Sequence, residues 1–370
     1  MNGLTGNNLP MHKADVISLC FICDRNYVLP TVVAITSVVV NKKRDDRYDI
    51  YVVSNNLSND SINLLKKSET ESVSIIIIKV ENCWKYEKFK RNDHYHVTTT
   101  SLLKFELPEL LEDELDKVLY LDGDIIVRKD VAEIFNQDIE DVYAGGVKDY
   151  YVVTEKDNFQ KRLNVKQLSY FNAGVLLFNL KKMREEHIPE LLLQYRNDHE
   201  DKYMDQDTFN VVFREKVKYF PFYYNFQFTS WNYCDKKKLE EYYGLDIDDI
   251  EYELINKVSV IHYNTWYKPW KYYDFLAADI WMYYFLLSPA KDIALHRKAL
   301  RETENAKNEK ELARTQVIIV QKNKEIEKLK KDLGKAQRLA REIENVKAGW
   351  SFKIGRAITF IPRQIKKYLK

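Results

Sequence analysis

The sequence has few of the features that mark secreted and membrane-spanning proteins. It contains only four cysteines in 370 residues, too few for disulfides to organise a chain of this length. No run of 18 apolar residues occurs, so no transmembrane helix is predicted. The N-terminus lacks the charge and apolar pattern of a signal peptide. We therefore expect a cytoplasmic or peripheral protein.

A strong net charge is also absent. The chain carries 58 Lys and Arg against 56 Asp and Glu, and a net charge of +2 gives no overall reason to expect a polyanionic partner. The distribution is uneven, because no acidic residue follows Glu344 while basic residues continue to the end. These basic residues form a tail rather than a groove motif, so nucleic-acid binding is not expected.

Apolar stretches of strand and helix length alternate along the first part of the chain. The predicted strands are residues 16–23, 48–54, 73–80 and 117–121, and the predicted helices are 27–40, a short one capped by Ser58, and 101–111. Later come strands at 174–179 and 259–261, a helix at 189–195 and an irregular aromatic stretch at 219–243. This order predicts an α/β fold with a mostly parallel, Rossmann-like sheet.

The character of the sequence changes near residue 290. Apolar side chains then recur every seven residues, at Leu312, Ile319, Ile326, Leu333 and Ala340, which is typical of a coiled coil. We predict a flexible segment at 1–13, an α/β domain at 14–289 and a helical extension at 290–345, which self-associates through 299–345. A single amphipathic helix packed on the α/β domain is the alternative.

The last segment, residues 346–370, mixes large apolar and basic side chains. Trp350, Phe352 and Phe360 lie among lysines and arginines, a composition that suits an anionic membrane surface. The alternative is a basic tail that is disordered or packed on the protein body.

Pairs of aspartates separated by one residue occur at three places. Only Asp122 and Asp124 follow a hydrophobic strand, where ligands of parallel sheets bind. Both carboxylates can reach one hard divalent cation, which in turn can bridge a diphosphate. The alternative is a turn with two solvated acids. His262 at the end of the last predicted strand is a candidate further ligand, and Lys268 is a candidate phosphate clamp.

Five short motifs, in this order, resemble the retaining glycosyltransferases of family 8. They are CDRNY at 23–27, KVLYLDGD at 117–124, FNAGV at 171–175, MDQD at 204–207, and HY at 262–263 followed by KPW at 268–270. The resemblance implies a GT-A type fold and an enzyme that moves galactose or glucose from a UDP-sugar with Mn²⁺ or Mg²⁺. It also implies a lipopolysaccharide or lipid-linked glycan acceptor, at the inner face of the bacterial cytoplasmic membrane.

The resemblance assigns a role to each matching residue. It implies that Asp122, Asp124 and His262 are the metal ligands. The residues implied to hold the nucleotide are Cys23, Asp24, Asn26, Tyr27, Lys104, Gly123 and Lys268, and those around the transferred sugar are Asp149, Asn172, Asp205 and Gln206. The amide of Gln206 is a poor covalent nucleophile. Same-face substitution is therefore expected, and a covalent route through Asp205 stays open.

Two other hypotheses compete with a transferase. The first is a non-catalytic scaffold, a nucleotide-sugar-binding fold that has lost activity and is assembled by the coiled coil. The intact Asp122, Asp124, His262 and Lys268 argue against such a loss. A nucleotide-sugar hydrolase would need an activated base near the anomeric carbon, for which no clear candidate is seen. Two departures from the family pattern stand out: Lys104 replaces a common arginine and loses its bidentate fork, and Thr265 replaces a common glycine.

Overall fold

The structure is a computed structural model that describes residues 16–81, 89, 99–154, 163–165, 169–199, 201–245, 256–291, 322, 326, 328–345, 349 and 353–356. The predicted flexible segment at 1–13 and the acidic pair Asp246 and Asp248 lie outside this part, as does most of the basic tail. The chain divides into two units, Met1–Thr303 and Glu304–Lys370.

The described strands all belong to the first unit. They are β1 (Val16–Ile22), β2 (Arg47–Ser54), β3 (Val73–Lys79), β4 (Lys117–Leu121), β5 (Ile125–Val127), β6 (Ala144–Lys148), β7 (Phe171–Asn179), β8 (Val217–Tyr219), β9 (Phe226–Gln227) and β10 (Val260–His262). Each predicted strand is present to within three residues at either end. The sequence analysis missed β5, β6, β8 and β9, which are short or rich in glycine.

The α-helices of the first unit are mostly short. They are α1 (Val28–Asn41), α2 (Asn59–Lys66), α3 (Leu107–Leu110), α4 (Ala132–Phe135), α5 (Tyr150–Thr154), α6 (Leu180–Glu185), α7 (Ile188–Asp198), α8 (Met204–Phe213), α9 (Phe228–Tyr233), α10 (Lys236–Tyr243) and α11 (Ala278–Leu287). Thr99–Glu106 and Phe222–Tyr224 are 3₁₀-helices. The stretch predicted to be irregular, 219–243, therefore contains a 3₁₀-helix, a strand and two α-helices.

The central strand β1 is buried on both faces because its apolar residues run without interruption. Leu19 and Phe21 pack in one core together with α1, whereas Cys20 and Ile22 pack in a second core with the Thr99–Glu106 helix. Successive side chains of a strand point to opposite faces, so one strand supplies both cores. Helices therefore cover the sheet on its two sides.

The main sheet has seven strands in the order β3-β2-β1-β4-β7-β6-β8. β1, β2, β3 and β4 are parallel neighbours, and β6 and β8 are also parallel. β7 runs antiparallel to β4 and β6, so the start of β7 lies beside the end of β4. The prediction of an α/β fold with a mostly parallel sheet is confirmed. A second sheet, β5-β10-β9, brings the end of β10 to the same place.

In the second unit, residues 328–345 form a helix whose side chains are exposed. Leu333 of the seven-residue repeat is 60% exposed. Leu329 and Ile343, at the companion positions of the same repeat, are 67% and 48% exposed. Among the residues described in either unit, none of the helices has the length and apolar character needed to cross a bilayer.

Candidate active site

Two acidic side chains follow directly from β4. The backbone N–H of Asp122 donates to the carbonyl of Gly174 at 2.8 Å, and Tyr120 donates its hydroxyl to Asp122 Oδ1 at 2.5 Å. The carbonyl of Asp124 accepts from the N–H of Tyr263 at 3.0 Å, just after β10. Backbone pairing with both sheets therefore holds the Asp122–Asp124 turn in place.

His262 completes a group that can hold a cation. Its Nε2 lies 3.7 Å from Asp122 Oδ2 and 3.4 Å from Asp124 Oδ1, and one ligand atom from each residue falls within 4.8 Å of the others. Nδ1 lies 3.0 Å from Asn225 Oδ1, while Asn225 Nδ2 donates to Asn172. This oxygen can only accept, so Nδ1 is protonated in this contact and Nε2 is the ring nitrogen that faces the two carboxylates, where it could bind a cation.

The backbone around this group leaves room for the imidazole. A Cβ at Gly174 would lie 2.1 Å from His262 Cε1, so any larger residue there would displace the ring. Carboxylate and imidazole groups are ligands that divalent cations take in proteins. The residues present therefore fit a divalent cation.

Lys268 lies against the same carboxylates. Its ammonium group donates to Asp124 Oδ2 at 2.5 Å and to the carbonyl of Tyr263 at 2.6 Å. Burial alone would raise the pKa of Asp124, but the charges of Lys268 and His262 outweigh it and hold that pKa below its usual range. Asp124 is therefore ionised at neutral pH.

A second ammonium group, that of Lys104, is buried deeper in the site. It donates to Asp205 Oδ2 at 2.7 Å and to the carbonyl of Ala173 at 3.1 Å, and it lies 3.2 Å from Asp122 Oδ1. Burial would lower the pKa of Lys104, but the two carboxylates reverse this effect and raise it. The three contacts match the three ammonium protons, so Lys104 is charged and fully bonded within the protein.

The amide of Gln206 is fixed in orientation by its neighbours. Its Oε1 accepts from Asn172 Nδ2 at 3.1 Å and from the N–H of Ala173 at 3.0 Å. Its Nε2 donates to Asp149 Oδ2 at 3.1 Å and to the Tyr170 hydroxyl at 3.3 Å.

Two acidic residues near this amide, Asp149 and Asp205, are shaped by burial and by a helix N-terminus. Burial raises the pKa of Asp149, although hydrogen bonds from Asn172 and Gln206 oppose the effect. The helix α8 begins at Met204, so Asp205 and Gln206 lie in its first turn. Acidic side chains suit this position because the N-terminal end of a helix attracts negative charge.

The residues assigned to the nucleoside lie where β1 leads into α1. Asp24 is buried, and its Oδ1 accepts from the N–H groups of Asn26 and Tyr27 at 2.7 Å and 3.1 Å, which closes the turn before the helix. Burial raises the pKa of the Cys23 thiol to about 12, so this group is an inert thiol at neutral pH. Asn26 is exposed.

One cavity of about 300 Å³ joins these groups. Twelve of the fourteen residues to which the resemblance assigns a role line it: Asp24, Tyr27, Lys104, Asp122, Gly123, Asp124, Asp149, Asn172, Asp205, Gln206, His262 and Lys268. Cys23 and Asn26 are not among the described residues that line the cavity. The structure therefore brings together most of the predicted site, from seven separate segments of the chain.

Three further residues hold this site together and were missed by the sequence analysis. Tyr120 and Tyr170 donate to Asp122 Oδ1 and Asp207 Oδ1, each at 2.5 Å, and Asn225 connects Asn172 to His262. Asn225 is fully buried within an aromatic stretch, and a polar residue in such a run is the signal that could have identified it.

A model of the family described as glycosyl transferase family 8 matches residues 18–274, more than two thirds of the chain. The chain belongs to glycosyl transferase family 8. The matched region begins in β1 and ends after Lys268, so it contains every residue of the cavity described above.

Two curated family relatives match shorter parts of the chain. A putative glycosyltransferase of Haemophilus influenzae is 36% identical over 87 residues, which cover 23% of this chain and 26% of the relative. A lipopolysaccharide 1,2-glucosyltransferase of Escherichia coli is 29% identical over 149 residues, which cover 39% of this chain and 41% of the relative. The chain thus spans well under half of the length of these relatives.

Solved structures of glycosyltransferases match over a longer range. The galactosyltransferase LgtC, in complex with donor and acceptor sugar analogues, has a TM-score of 0.61 at 23% identity, over 74% of this chain and 96% of that one. The glycosyltransferase GlyE of Streptococcus pneumoniae has a TM-score of 0.55 at 20% identity, over 77% and 63%. At such identities the likeness concerns the fold, which is of the GT-A type.

Proposed function

We propose that this protein moves galactose or glucose from a UDP-sugar to a lipopolysaccharide or other surface-glycan acceptor, with retention of configuration. One observation carries the proposal: Asp122, Asp124 and His262 converge beside Lys268 in the cavity that also contains Gln206. A cation site beside a lysine suits a diphosphate. The buried amides and carboxylates beside it suit the hydroxyl groups of a sugar.

The donor would lie along the cavity from Asp24 and Tyr27 towards Gln206. A divalent cation held by Asp122, Asp124 and His262 would supply positive charge against the diphosphate. Lys268 would exchange its hydrogen bond with Asp124 for one with the departing phosphate. Asp149, Asn172 and Gln206 would then orient the transferred sugar, while Cys23, Asn26 and Gly123 remain predicted contacts of the nucleotide.

The contacts of Asp205 favour same-face substitution over a covalent route. Its Oδ2 is bonded to Lys104, and its Oδ1 accepts from Ser101 Oγ at 3.2 Å. Both oxygens thus accept a hydrogen bond and the charge is paired with Lys104, which weakens Asp205 as a nucleophile. Gln206, a poor nucleophile, is held by four hydrogen bonds. In the proposed reaction the leaving phosphate accepts the proton of the acceptor.

The first test is a panel of UDP-sugars incubated with the purified protein and Mn²⁺, with released UDP as the readout. We expect slow release from one or two donors, which EDTA and Asp124→Ala both abolish. Asp60→Ala, at an exposed residue of α2, is the matched control and should retain the activity. Absence of turnover with every donor would contradict the enzyme. Thermal stabilisation by UDP and Mn²⁺ without turnover would then favour the non-catalytic scaffold.

We also propose that residues 346–370 bind an anionic membrane and so bring the enzyme to a lipid-linked acceptor. The support is the composition of this segment, which combines aromatic and basic residues. Deletion of 346–370 should abolish sedimentation with vesicles that contain anionic lipid and leave UDP release from the donor intact. Undiminished vesicle binding after the deletion would contradict the proposal.

Self-association through residues 299–345 is the third part of the proposal. Its support is the exposed heptad face of the helix at 328–345, since exposed apolar residues at a and d positions suit pairing with a second copy. Leu333→Glu should reduce the mass measured by light scattering to that of one chain, whereas Lys331→Glu, outside the seam, should not. A wild-type protein that is monomeric at micromolar concentration would contradict this part.

A further inference from the structure

Part of the cavity is not accounted for by the donor. The residues proposed to hold the donor, at the cation site, Lys268 and Gln206, are buried or partly buried. Its remaining wall contains Tyr151, Thr229, Tyr233, Asn264 and Trp266, which carry no charge. We call these five residues the aromatic rim. An acceptor has to approach the transferred sugar from outside the donor, and this wall is the part of the lining that the donor leaves available.

Large aromatic side chains of the rim are open to solvent. Trp266 is 51% exposed and Tyr233 is 52% exposed, although both line the cavity. The ring of Tyr151 lies 5.8 Å from that of Tyr233, centre to centre, with the planes inclined at 53°. A tryptophan and a tyrosine presented together at a cavity wall offer flat apolar surface next to polar tips. Such surfaces suit a ligand that has both an apolar face and hydroxyl groups.

Hydrogen bonds hold the segments of the rim together. The N–H of Thr229 donates to Asn264 Oδ1 at 3.0 Å, and Asn264 Nδ2 donates back to Thr229 Oγ1 at 2.8 Å. This reciprocal pair connects α9, which carries Tyr233, to the loop that carries Trp266. The N–H of Tyr151 donates to Ser230 Oγ at 3.2 Å and connects α5 to the same helix. The rim is therefore organised before a ligand arrives, which reduces the entropy cost of binding.

The rim is also close along the chain to the reacting groups. Tyr151 follows Asp149 by two residues, and Trp266 lies between His262 and Lys268. A ligand that stacks on the rim would thus lie beside residues that face the donor. Exposed aromatic residues elsewhere, such as Tyr283 on α11, lack this position, because Tyr283 is not among the residues that line the cavity.

We propose that Trp266 and Tyr233 form the acceptor subsite and bind a neutral pyranose by stacking on its C–H face. This inference rests on the proposed function and narrows its acceptor to an uncharged terminal sugar, in place of a phosphorylated one. The absence of charge among the five rim residues is the reason, since a phosphate there would be without a cationic partner from the rim. Asn264 and Thr229 supply polar groups for the sugar hydroxyls.

The test is saturation-transfer NMR on the full chain with UDP and Mn²⁺, using both anomers of methyl galactopyranoside and methyl glucopyranoside as probes. We expect transfer to the ring C–H protons in wild type. Binding should be roughly three- to tenfold weaker in Trp266→Ala and Tyr233→Ala, the range that one aromatic contact supplies. Tyr283→Ala, equally exposed but outside the cavity, should bind the probes as wild type does.

The outcomes distinguish a failure of the proposed subsite from a failure of the proposed function. UDP release from the donor without acceptor, measured in wild type and in Tyr283→Ala, tests the donor reaction separately from the subsite, because Tyr283 lies outside the cavity. Absence of transfer to all four probes in wild type, or equal transfer in Trp266→Ala, would overturn the subsite. Tighter binding of methyl glucopyranoside 6-phosphate than of the neutral sugar would overturn its stated chemistry. Absence of UDP release in wild type would instead contradict the proposed function.

Discussion

Replacing Lys104 by methionine should destabilise the protein more than any single change at its surface. The ammonium group contacts Asp205 Oδ2 at 2.7 Å and Asp122 Oδ1 at 3.2 Å, and the side chain is 4% exposed. Methionine has a similar length but no charge. It would leave the carboxylate of Asp205, itself 7% exposed, without its cationic partner.

The expected loss follows from the burial of the ion pair. Removal of one partner of such a pair costs about 3–5 kcal/mol of unfolding free energy, because the other charge remains buried and unpaired. For a domain of this size each kcal/mol lowers the melting temperature by roughly 2–4 °C, so a decrease of about 6–20 °C is expected. Substituting Asn for Asp205 in the same chain should recover part of the loss, since the stranded charge is then removed.

The assay is urea unfolding followed by tryptophan fluorescence, on wild type, Lys104→Met, Asp205→Asn and the double variant. Lys237→Met, at an exposed residue of α10, is the matched control and should change the unfolding free energy by no more than about 0.5 kcal/mol. A loss below about 1 kcal/mol in Lys104→Met, or strictly additive losses in the double variant, would refute the reasoning.

Three further substitutions test other parts of the structure. Gly174→Ala should weaken Mn²⁺ binding by roughly tenfold or more, because the added Cβ would lie 2.1 Å from His262 Cε1 and displace the ring. The rise in melting temperature that Mn²⁺ and UDP cause should therefore vanish, and an unchanged rise would contradict this steric argument. Asp149→Asn should stabilise the protein at neutral pH, because burial raises the pKa of Asp149 and its ionised form opposes folding. The gain should shrink as the pH falls and disappear near about pH 3, where the carboxyl is largely protonated in both the folded and the unfolded state. An equal gain in urea titrations at both pH values would exclude this cause. Ser58→Ala should cost about 1 kcal/mol by removing the side-chain acceptor of the Ser61 N–H, and calorimetry without a measurable change would show that this cap is dispensable.

The elements that sequence could predict are those with an uninterrupted local pattern. β4 was predicted at Lys117–Leu121 as observed, because five apolar or amphipathic residues precede an acidic turn. β7 was predicted in part, but its direction was not, since an apolar run reads the same for parallel and antiparallel neighbours. β6, with the sequence AGGVK, has no alternation and few side chains, and its strand conformation depends on pairing with β7 and β8.

The residues of the candidate site also fall into two groups, those that sequence could predict and those that it could not. Asp122, Asp124 and His262 could be proposed from strand ends and from the family resemblance, because each lies in a recognisable local context. The bridging role of Asn225 could not, since it depends on β9 pairing with β10 and on the start of β7 lying nearby. The ion pair of Lys104 with Asp205 joins residues 101 positions apart, a distance at which local pattern carries no information.

The separation of the site residues along the chain also has a consequence for biosynthesis. Asp124 and Lys268, which are hydrogen-bonded in the folded protein, are 144 positions apart in sequence. At a translation rate of about 5–20 residues per second, roughly 7–30 s pass between the synthesis of the first and the second. A nascent chain therefore has no complete donor site until nearly all of the family 8 region has left the ribosome. Unfinished chains in the cell would consequently consume no activated sugar.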